Sequence, residues 1–252
     1  MPNLILSLVL GFCVGGSLGL LGGGGSILTV PALVYILGLT PQVAVTTSLV
    51  IVGVNSIIGT FFHRKKGLNL RVALIFGGTG MVTSYFSAGL SKQLSPNVLM
   101  ILFALLMLLV GIVLLRRKDV QSNVPQGDDL NLWKVLAGGA VVGLLTGLLG
   151  VGGGFLIVPA LVILVGMPVH HAVGTSLVVI AMNSFAGFLG HLDGIVLDIP
   201  LILTFIVAGV FGSFAGTKLG KRLNAAILRR TFSVFIIGLA LFLLYDNISK
   251  IL

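Results

Sequence analysis

Long apolar runs separated by short polar gaps dominate the chain, and they predict membrane-spanning helices. Runs of 18 or more apolar residues recur, and about 20 such residues in a helix cross the roughly 30 Å hydrocarbon core of a bilayer. The polar gaps carry the turn residues and most of the basic residues. The runs predicted as single spans are 43–62, 71–90, 98–115, 172–190, 199–217 and 231–245.

Two other apolar stretches, 4–37 and 132–165, do not fit a single crossing. As one straight helix, residues 4–37 would be about 51 Å long, which exceeds the bilayer core but is too short for two full crossings. A run of glycines interrupts each stretch, and glycine disfavours a helix interior by about 1 kcal/mol relative to alanine. Each stretch is therefore predicted to form a broken or re-entrant helical hairpin, with helices at about 4–21 and 26–37 in the first.

The two glycine runs belong to an internal repeat. Gly19–Leu33 and Gly147–Leu161 are identical at eleven of fifteen positions, at an offset of 128 residues. Such self-similarity indicates that one structural unit occurs twice. The predicted division is a first transmembrane repeat at 1–115, a cytoplasmic linker at 116–131 and a second transmembrane repeat at 132–252. Outside the glycine block, the matching polar residues are Thr47-Ser48 with Thr175-Ser176, Asn55-Ser56 with Asn183-Ser184, and His63 with His191.

Basic residues in the loops predict how the two repeats are oriented. Lys and Arg concentrate in 63–71, 116–131 and 218–230, whereas 91–97 and 191–198 hold a single Lys between them. By the positive-inside rule, the first three loops are cytoplasmic and the other two are outside. Equivalent loops then lie on opposite sides, which predicts inverted-topology repeats, each a broken hairpin plus three transmembrane helices, with both termini outside. A parallel repeat with four crossings per half is the alternative.

The composition supports membrane insertion and limits the partners. Hydrophobic residues make up 57% of the 252-residue chain, charged residues make up 8%, and the mean hydropathy is +1.20. The net charge of +9 arises from basic residues in short gaps between apolar runs, which is typical of cytoplasmic loops rather than of a nucleic-acid surface. The predicted fold class is an all-α integral membrane protein in contact with the lipid bilayer, with no nucleic-acid partner.

Sequence motifs for intramembrane catalysis or nucleotide hydrolysis are absent. The chain has no H-E-x-x-H or G-x-x-x-x-G-K-[ST] pattern, the signatures of zinc proteases and phosphate-binding loops. The single cysteine, Cys13, excludes an internal disulfide and a cysteine-based metal cluster, and we expect it to be buried. We therefore predict a protein that is not an enzyme and that has neither a cofactor nor a metal site.

The glycine turns provide a candidate binding site for an anion. Backbone groups without a partner cost several kcal/mol in hydrocarbon, so the broken helices should face protein or a polar cavity. The helix after each turn has free N–H groups and about half a positive charge at its N-terminus, which suits an anion. Close helix packing through small residues is the alternative. The candidate substrate-binding residues are Gly23, Gly24, Gly25, Ser26, Thr47, Ser48, Asn55, Gly152, Gly153, Gly154, Thr175, Ser176 and Asn183.

The charged and polar side chains favour an anionic rather than a cationic substrate. The chain has no glutamate, and its six aspartates lie in loops or at the ends of spans, whereas a cation pump is expected to keep a carboxylate at depth. The hydroxyl and amide candidates can donate charge-assisted hydrogen bonds to an anion, although such residues also bridge helices. His63 and His191 are candidates for proton coupling, because histidine titrates near neutral pH.

Inverted repeats built on broken helices are typical of secondary transporters, in which half-helix N-termini point at an anionic substrate near the bilayer midplane. The residues therefore predict a secondary carrier that moves a small anionic substrate by alternating access. An anion channel, or a carrier for another small oxyanion or carboxylate, is the alternative. The direction of transport, the coupling ion and homo-oligomer formation are left open by the sequence.

The doubled motif resembles the sulfite exporter TauE/SafE family, also called the four-toluene-sulfonate uptake permease family. The resemblance covers nearly the whole chain. It implies a multi-pass permease of a bacterial plasma (inner) membrane whose substrates are sulfur-containing anions such as sulfite, sulfoacetate or another organosulfonate. The spacing of the residues does not itself indicate sulfur. The matching residues are Gly19–Leu33, Thr47, Ser48, Asn55 and Gly59, and then Gly147–Leu161, Thr175, Ser176, Asn183 and Gly187.

Overall fold

A computed structural model describes residues 4–21, 24–63, 68–116, 132–150, 152–192, 196–220 and 225–250 of the chain. The regular structure of these residues is helical, and seven of their helices are long and apolar enough to cross a membrane. The predicted class, an all-α integral membrane protein, is confirmed. The helices are α1 (Leu4–Leu21), α2 (Thr29–Pro31), α3 (Pro41–His63), α4 (Leu70–Ser91), α5 (Pro96–Arg116), α6 (Leu132–Leu149), α7 (Gly154–Leu164), α8 (Val169–His191), α9 (Ile199–Gly220) and α10 (Ala225–Ile248).

Both apolar stretches that were too long for one span are broken at their glycines. After α1, the chain forms a 3₁₀ turn at Gly24–Leu28, then α2, then a π-helical turn at Ala32–Ile36. In the second half, α6 ends at the glycines and α7 follows them. The 11 residues of α7 reach only about 17 Å, too short to cross the bilayer core.

The two short segments end in the same way. Gly38 and Gly166, which match at the repeat offset, both have a φ of +73°. The N–H of the residue after each glycine donates to the carbonyl six residues earlier, at 3.0 and 3.1 Å. Each segment thus ends at a residue with a left-handed backbone, a position that favours glycine.

Small residues bring each hairpin's first helix into backbone contact with a helix of the other half. A Cβ on Gly15 would overlap the backbone of Gly209 on α9, and equivalent overlaps occur between Gly143 of α6 and Gly80 of α4. One helical turn further on, Gly19 lies against Ser213 and Gly147 against Ser84. Because the partner advances with the glycine, α1 runs parallel to α9 and α6 runs parallel to α4. Such small-residue contacts are a common way to pack helices in membranes.

The equivalent helices α3 and α8 run antiparallel. Gly53 packs on Ser184, and on either side of this contact Gly59 meets Leu177 while Leu49 meets Gly187. The helices α4 and α8, in contrast, run parallel, since Gly80 lies against Asn183 and Ser84 against Gly187. Because α6 and α8 both run parallel to α4, they point in the same direction. The chain must therefore return towards its starting side between the end of α6 and the start of α8.

The helix bounds agree closely with the predicted spans except at the start of α10, and one prediction about burial is wrong. The backbone of α10 is helical from Ala225, six residues before the predicted start at 231. Cys13, expected to be buried, is exposed on α1. The division into repeats and the side of the membrane on which each loop lies stay predictions. Most of the predicted linker, at 117–131, lies outside the described residues.

Candidate functional site

The second glycine turn adopts a backbone that glycine alone adopts easily. Gly150, Gly152 and Gly153 have φ values of +67°, +68° and +68°, in the left-handed region that L side chains rarely occupy. Gly153 is the N-cap of α7 and has no side-chain cap. In the first turn of α7, the N–H of Leu156 donates to the carbonyl of Gly153 at 2.9 Å, whereas the N–H groups of Gly154 and Phe155 have no acceptor within the helix. The turn therefore presents backbone donors and the positive end of the α7 dipole.

Helix α3, from the first half of the chain, packs directly on this turn. The side chain of Val45 lies against Gly150 and that of Val52 against Gly152, so that neither glycine could carry a Cβ without a clash. Between them, the Ser48 hydroxyl donates a hydrogen bond to the carbonyl of Gly150. One face of α3 thus holds the glycine turn of the opposite half.

Buried polar atoms without a partner lie on α8, where the Ser184 hydroxyl faces the turn and the Asn183 carboxamide faces Gly80 of α4. Asn183 is fully buried on α8, and neither its Nδ2 nor its Oδ1 has a hydrogen-bond partner among the described residues. The same is true of the Ser184 hydroxyl, which would lie 3.1 Å from a Cβ placed on Gly152. Leaving such groups unpaired costs about 1–3 kcal/mol each. Their position therefore favours a bound polar ligand or water.

The equivalent residues of the first half show the same pattern. Asn55 and Ser56 are buried on α3, and the Oδ1 of Asn55 and the hydroxyl of Ser56 have no partner in the described part of the chain. Asn55 packs on Gly209 of α9, as Asn183 packs on Gly80 of α4. Each asparagine is therefore enclosed by a glycine face of the other half.

Other predicted site residues form hydrogen bonds with the protein itself. The Thr175 hydroxyl accepts from the backbone N–H of Asn69 at 3.2 Å, which ties α8 to the start of α4. Ser176 donates to the carbonyl of Val173 in its own helix at 2.8 Å. Thr47 and Ser26 are buried, and Ser26 also has a partner. For Ser48, Thr175 and Ser176, the geometry favours a structural role.

The first glycine turn is described only in part. Gly23 lies outside the described residues, whereas Gly24 and Gly25 begin the 3₁₀ turn. This turn is in contact with α7, so the two broken segments lie next to each other. Gly154 is the first residue of α7.

The selection of site residues from the sequence missed four buried hydroxyls that have no partner among the described residues, those of Ser7, Thr29, Ser56 and Ser184. Ser56 and Ser184 follow the matched asparagines and repeat with them, a signal that the sequence does contain. Thr29 is also buried with an unpartnered hydroxyl, but it matches Ile157 in the second half. No repeat signal could have identified Thr29.

The two histidines lie at the ends of α3 and α8. His63 is the last residue of α3, and its side chain lies outside the described part of the structure. His191 is buried, with Nδ1 at 2.8 Å from the carbonyl oxygen of Gly187 and no partner for Nε2 among the described residues. Those residues contain no group of three or more potential metal ligands.

Similar proteins are known from several organisms. The chain is 34% identical over 251 residues to a "Probable membrane transporter protein" of Xylella fastidiosa (strain 9a5c), covering 97% of this chain and 96% of the relative. It is 31% identical to "Probable membrane transporter protein MJ0441" of Methanocaldococcus jannaschii, with 95% and 94% covered. For "Probable membrane transporter protein YdhB" of Bacillus subtilis the identity is 26%, with 89% and 94% covered. No solved structure matches.

The family comparison agrees with these relatives and with the membrane fold. The model of the family described as "Sulfite exporter TauE/SafE" matches residues 7–243. With relatives named as membrane transporters along almost its whole length, the chain is a multi-pass membrane transporter and not an enzyme. It belongs to the sulfite exporter TauE/SafE family.

Proposed function

We propose that the protein is a secondary transporter that moves a small sulfur-containing anion, such as sulfite or an organosulfonate, by alternating access across a bacterial plasma membrane. The observation that carries the proposal is the unpartnered, fully buried hydroxyl of Ser184 beside the glycine turn that precedes α7, together with the unpartnered carboxamide of the preceding residue, Asn183, which faces Gly80 of α4. These side chains and the free N–H groups of α7 can share one anion. Membership of the sulfite exporter family supports a substrate that contains sulfur.

The directions of the helices support an inverted repeat. Helices α3 and α8 are equivalent in the repeat, both qualify as membrane spans, and they run antiparallel. Equivalent spans that cross a membrane in opposite directions are what inverted-topology transporters contain. Combined with the basic loops, this orientation supports a topology with both termini outside and with the polar residues of α3 and α8 near the middle of the bilayer.

The proposal is tested by counterflow in proteoliposomes. Vesicles loaded with labelled sulfite would be exposed to sulfite, sulfoacetate, taurine, sulfate, phosphate or chloride, and label release would be recorded. Saturable exchange that is accelerated by one or more sulfur anions is expected. Absence of exchange by folded protein would contradict the proposed carrier function. Electrical conductance far above the rate of a carrier, without counterflow, would identify an anion channel instead.

Asn183→Leu separates a binding role from a structural one. Because the carboxamide has no protein partner, an apolar side chain of similar size should leave folding unchanged or improve it. Transport should nevertheless fall at least about tenfold, since losing one charge-assisted hydrogen bond costs roughly 1.5–3 kcal/mol. Ser184→Ala should act in the same way. The matched control is Ser17→Ala, whose hydroxyl donates to Val14 within α1. Unchanged transport in Asn183→Leu would refute the site.

A further inference from the structure

A cluster of polar side chains ties the first broken segment to the end of α10. The hydroxyl of Tyr35 donates to Oδ2 of Asp246 at 2.9 Å and accepts from Nδ2 of Asn247 at 2.6 Å. Nζ of Lys250 donates to the same carboxylate oxygen at 2.6 Å and lies 6.0 Å from the centre of the Tyr35 ring. These four side chains, which we call the α10 latch, join two elements that are 211 positions apart in the chain.

The latch tyrosine occurs in one half of the chain only. Both broken segments end at a glycine with a left-handed backbone, Gly38 in the first and Gly166 in the second. At the position that matches Tyr35, however, the second segment has isoleucine, at 163. Isoleucine has no group that forms a hydrogen bond, so it cannot replace the tyrosine in a latch. The two otherwise similar segments therefore differ in how their far ends are held.

The backbone of the first broken segment is also less regular than that of the second. It changes from a 3₁₀ turn at Gly24–Leu28 to the short α2 and then to a π-helical turn at Ala32–Ile36, which carries Tyr35. Helix α7, in contrast, is a single α-helix from Gly154 to Leu164. Isolated π-helical turns are frequent at functional sites, and elements that move are drawn from the less stable parts of a fold. The first segment is therefore the easier of the two to displace.

Release of Tyr35 would leave both of its partners on α10 with a hydrogen bond. Asp246 keeps its ion pair with Lys250, and their side chains are 26% and 56% exposed. Nδ2 of Asn247 also donates to the carbonyl of Leu243 in its own helix at 2.8 Å. Breaking the contact therefore strands no buried charge, which would be strongly destabilising. The geometry suits a contact that opens and closes repeatedly.

We propose that the first broken segment is a moving gate of the transporter and that the α10 latch holds this gate closed. The inference rests on the proposed alternating access, and it adds which element moves. When Tyr35 leaves Asp246 and Asn247, the segment swings away from α10. This movement opens a path to the glycine turns from the membrane face at which α10 ends. Tyr35 acts on transport through the position of the segment and not through contact with the substrate.

Labelling of a cysteine at position 29 measures the opening of the gate without any substrate. Thr29 lies on the same segment, is fully buried and has an unpartnered hydroxyl, so Thr29→Cys removes no bond within the described structure. Cys13, the single native cysteine, is replaced by serine. In proteoliposomes, a membrane-impermeant thiol reagent reaches position 29 only when the segment moves. Adding Tyr35→Phe should accelerate labelling about tenfold, because a hydrogen bond to a charged group is lost.

Two further variants make the labelling experiment specific to the latch. Asp246→Ala removes the acceptor of the Tyr35 hydroxyl and should accelerate labelling as Tyr35→Phe does, so the result does not depend on the folding of one variant. The matched control is Tyr245→Phe, which removes a hydroxyl from the neighbouring, 78% exposed residue of α10. It should leave the labelling rate unchanged.

A reversible tether tests whether transport needs this movement. Tyr35→Cys and Asp246→Cys, combined with Cys13→Ser, are joined by a short bifunctional thiosulfonate reagent, and counterflow is recorded before and after reduction. The tethered protein should lose exchange, and cleavage of the tether should restore it. The matched controls are the two single-cysteine variants treated in the same way, which should retain exchange. A latch that merely stabilises the fold would not make transport depend on the tether.

The possible outcomes separate the gate from the proposed substrate. Equal labelling rates at position 29 with and without Tyr35→Phe and Asp246→Ala would overturn the gate, and so would full exchange by the tethered protein. Faster labelling in both latch variants, with exchange lost on tethering, supports it. If labelling accelerates in the latch variants while wild type exchanges no sulfur anion, the gate stands and the proposed substrate is wrong.

Discussion

The backbone contact between α4 and α6 makes Gly143→Ala a sharp test of how the two halves are held together. In the structure, a Cβ on Gly143 would overlap the carbonyl oxygen of Gly80 and the hydroxyl of Thr83. The carbonyl belongs to the helix backbone and cannot rotate away as a flexible side chain could. The substitution must therefore push α4 and α6 apart.

The expected magnitude combines two opposing effects. Alanine improves helix propensity by about 1 kcal/mol relative to glycine. Forcing extra volume into a packed interface costs about 1–3 kcal/mol, and contact with backbone favours the upper end. We expect a net loss of about 2 kcal/mol, which lowers the midpoint of thermal unfolding by roughly 4–8 °C in a chain of this length.

The measurement is thermal unfolding of the purified protein in detergent, with Gly78→Ala as the matched control. Gly78 lies on α4, and none of the described atoms outside its own helix comes within 4 Å of a Cβ placed there. This control should be neutral or more stable by up to about 1 kcal/mol. Gly15→Ala, at the equivalent contact of α1 with α9, should behave like Gly143→Ala. Equal midpoints for Gly143→Ala and Gly78→Ala would refute the backbone contact.

Three further predictions concern the broken segments. Ser48→Ala leaves the turn carbonyl unpaired and should cost about 1–3 kcal/mol in thermal unfolding, more than Ser176→Ala, which loses a bond only within its own helix. Gly153→Ala meets both a left-handed φ and a steric overlap, so it should destabilise more than Gly38→Ala, where the strain of about 1–2 kcal/mol acts without a clash. Tyr35→Phe removes two hydrogen bonds to α10, at 2.9 and 2.6 Å. Amide exchange in the first broken segment should then accelerate without loss of the overall fold.

The glycine turn also limits which substitutions can report on transport. A bulky residue at Gly153 would block the proposed anion site, but it would also clash with the hydroxyl of Thr146 and adopt an unfavourable φ. Lost transport would then have two explanations. Asn183 and Ser184 avoid this ambiguity, because their side-chain polar atoms have no partner among the described residues.

Much of the fold could be predicted from the sequence because each membrane helix is recognisable from its own short stretch of residues. Hydrocarbon requires about 20 apolar residues per span and internal hydrogen bonds for the backbone, so each span appears as one run and each break as a cluster of glycines. The early start of α10 shows where this fails. Apolar runs mark the hydrocarbon boundary, whereas the helix continues into the polar region, from Ala225 to the arginines before 231.

The sequence by itself determined the class of fold, the doubled motif, the break in each hairpin and the set of polar residues within the spans. It did not separate Ser48 and Thr175, which bond to the protein, from Asn183 and Ser184, which do not. Only the packing of one half against the other decides which polar atoms find a partner and which helices run parallel. These contacts join residues far apart in the chain, such as Gly80 with Gly143 and Gly15 with Gly209, and no local pattern of the chain encodes them.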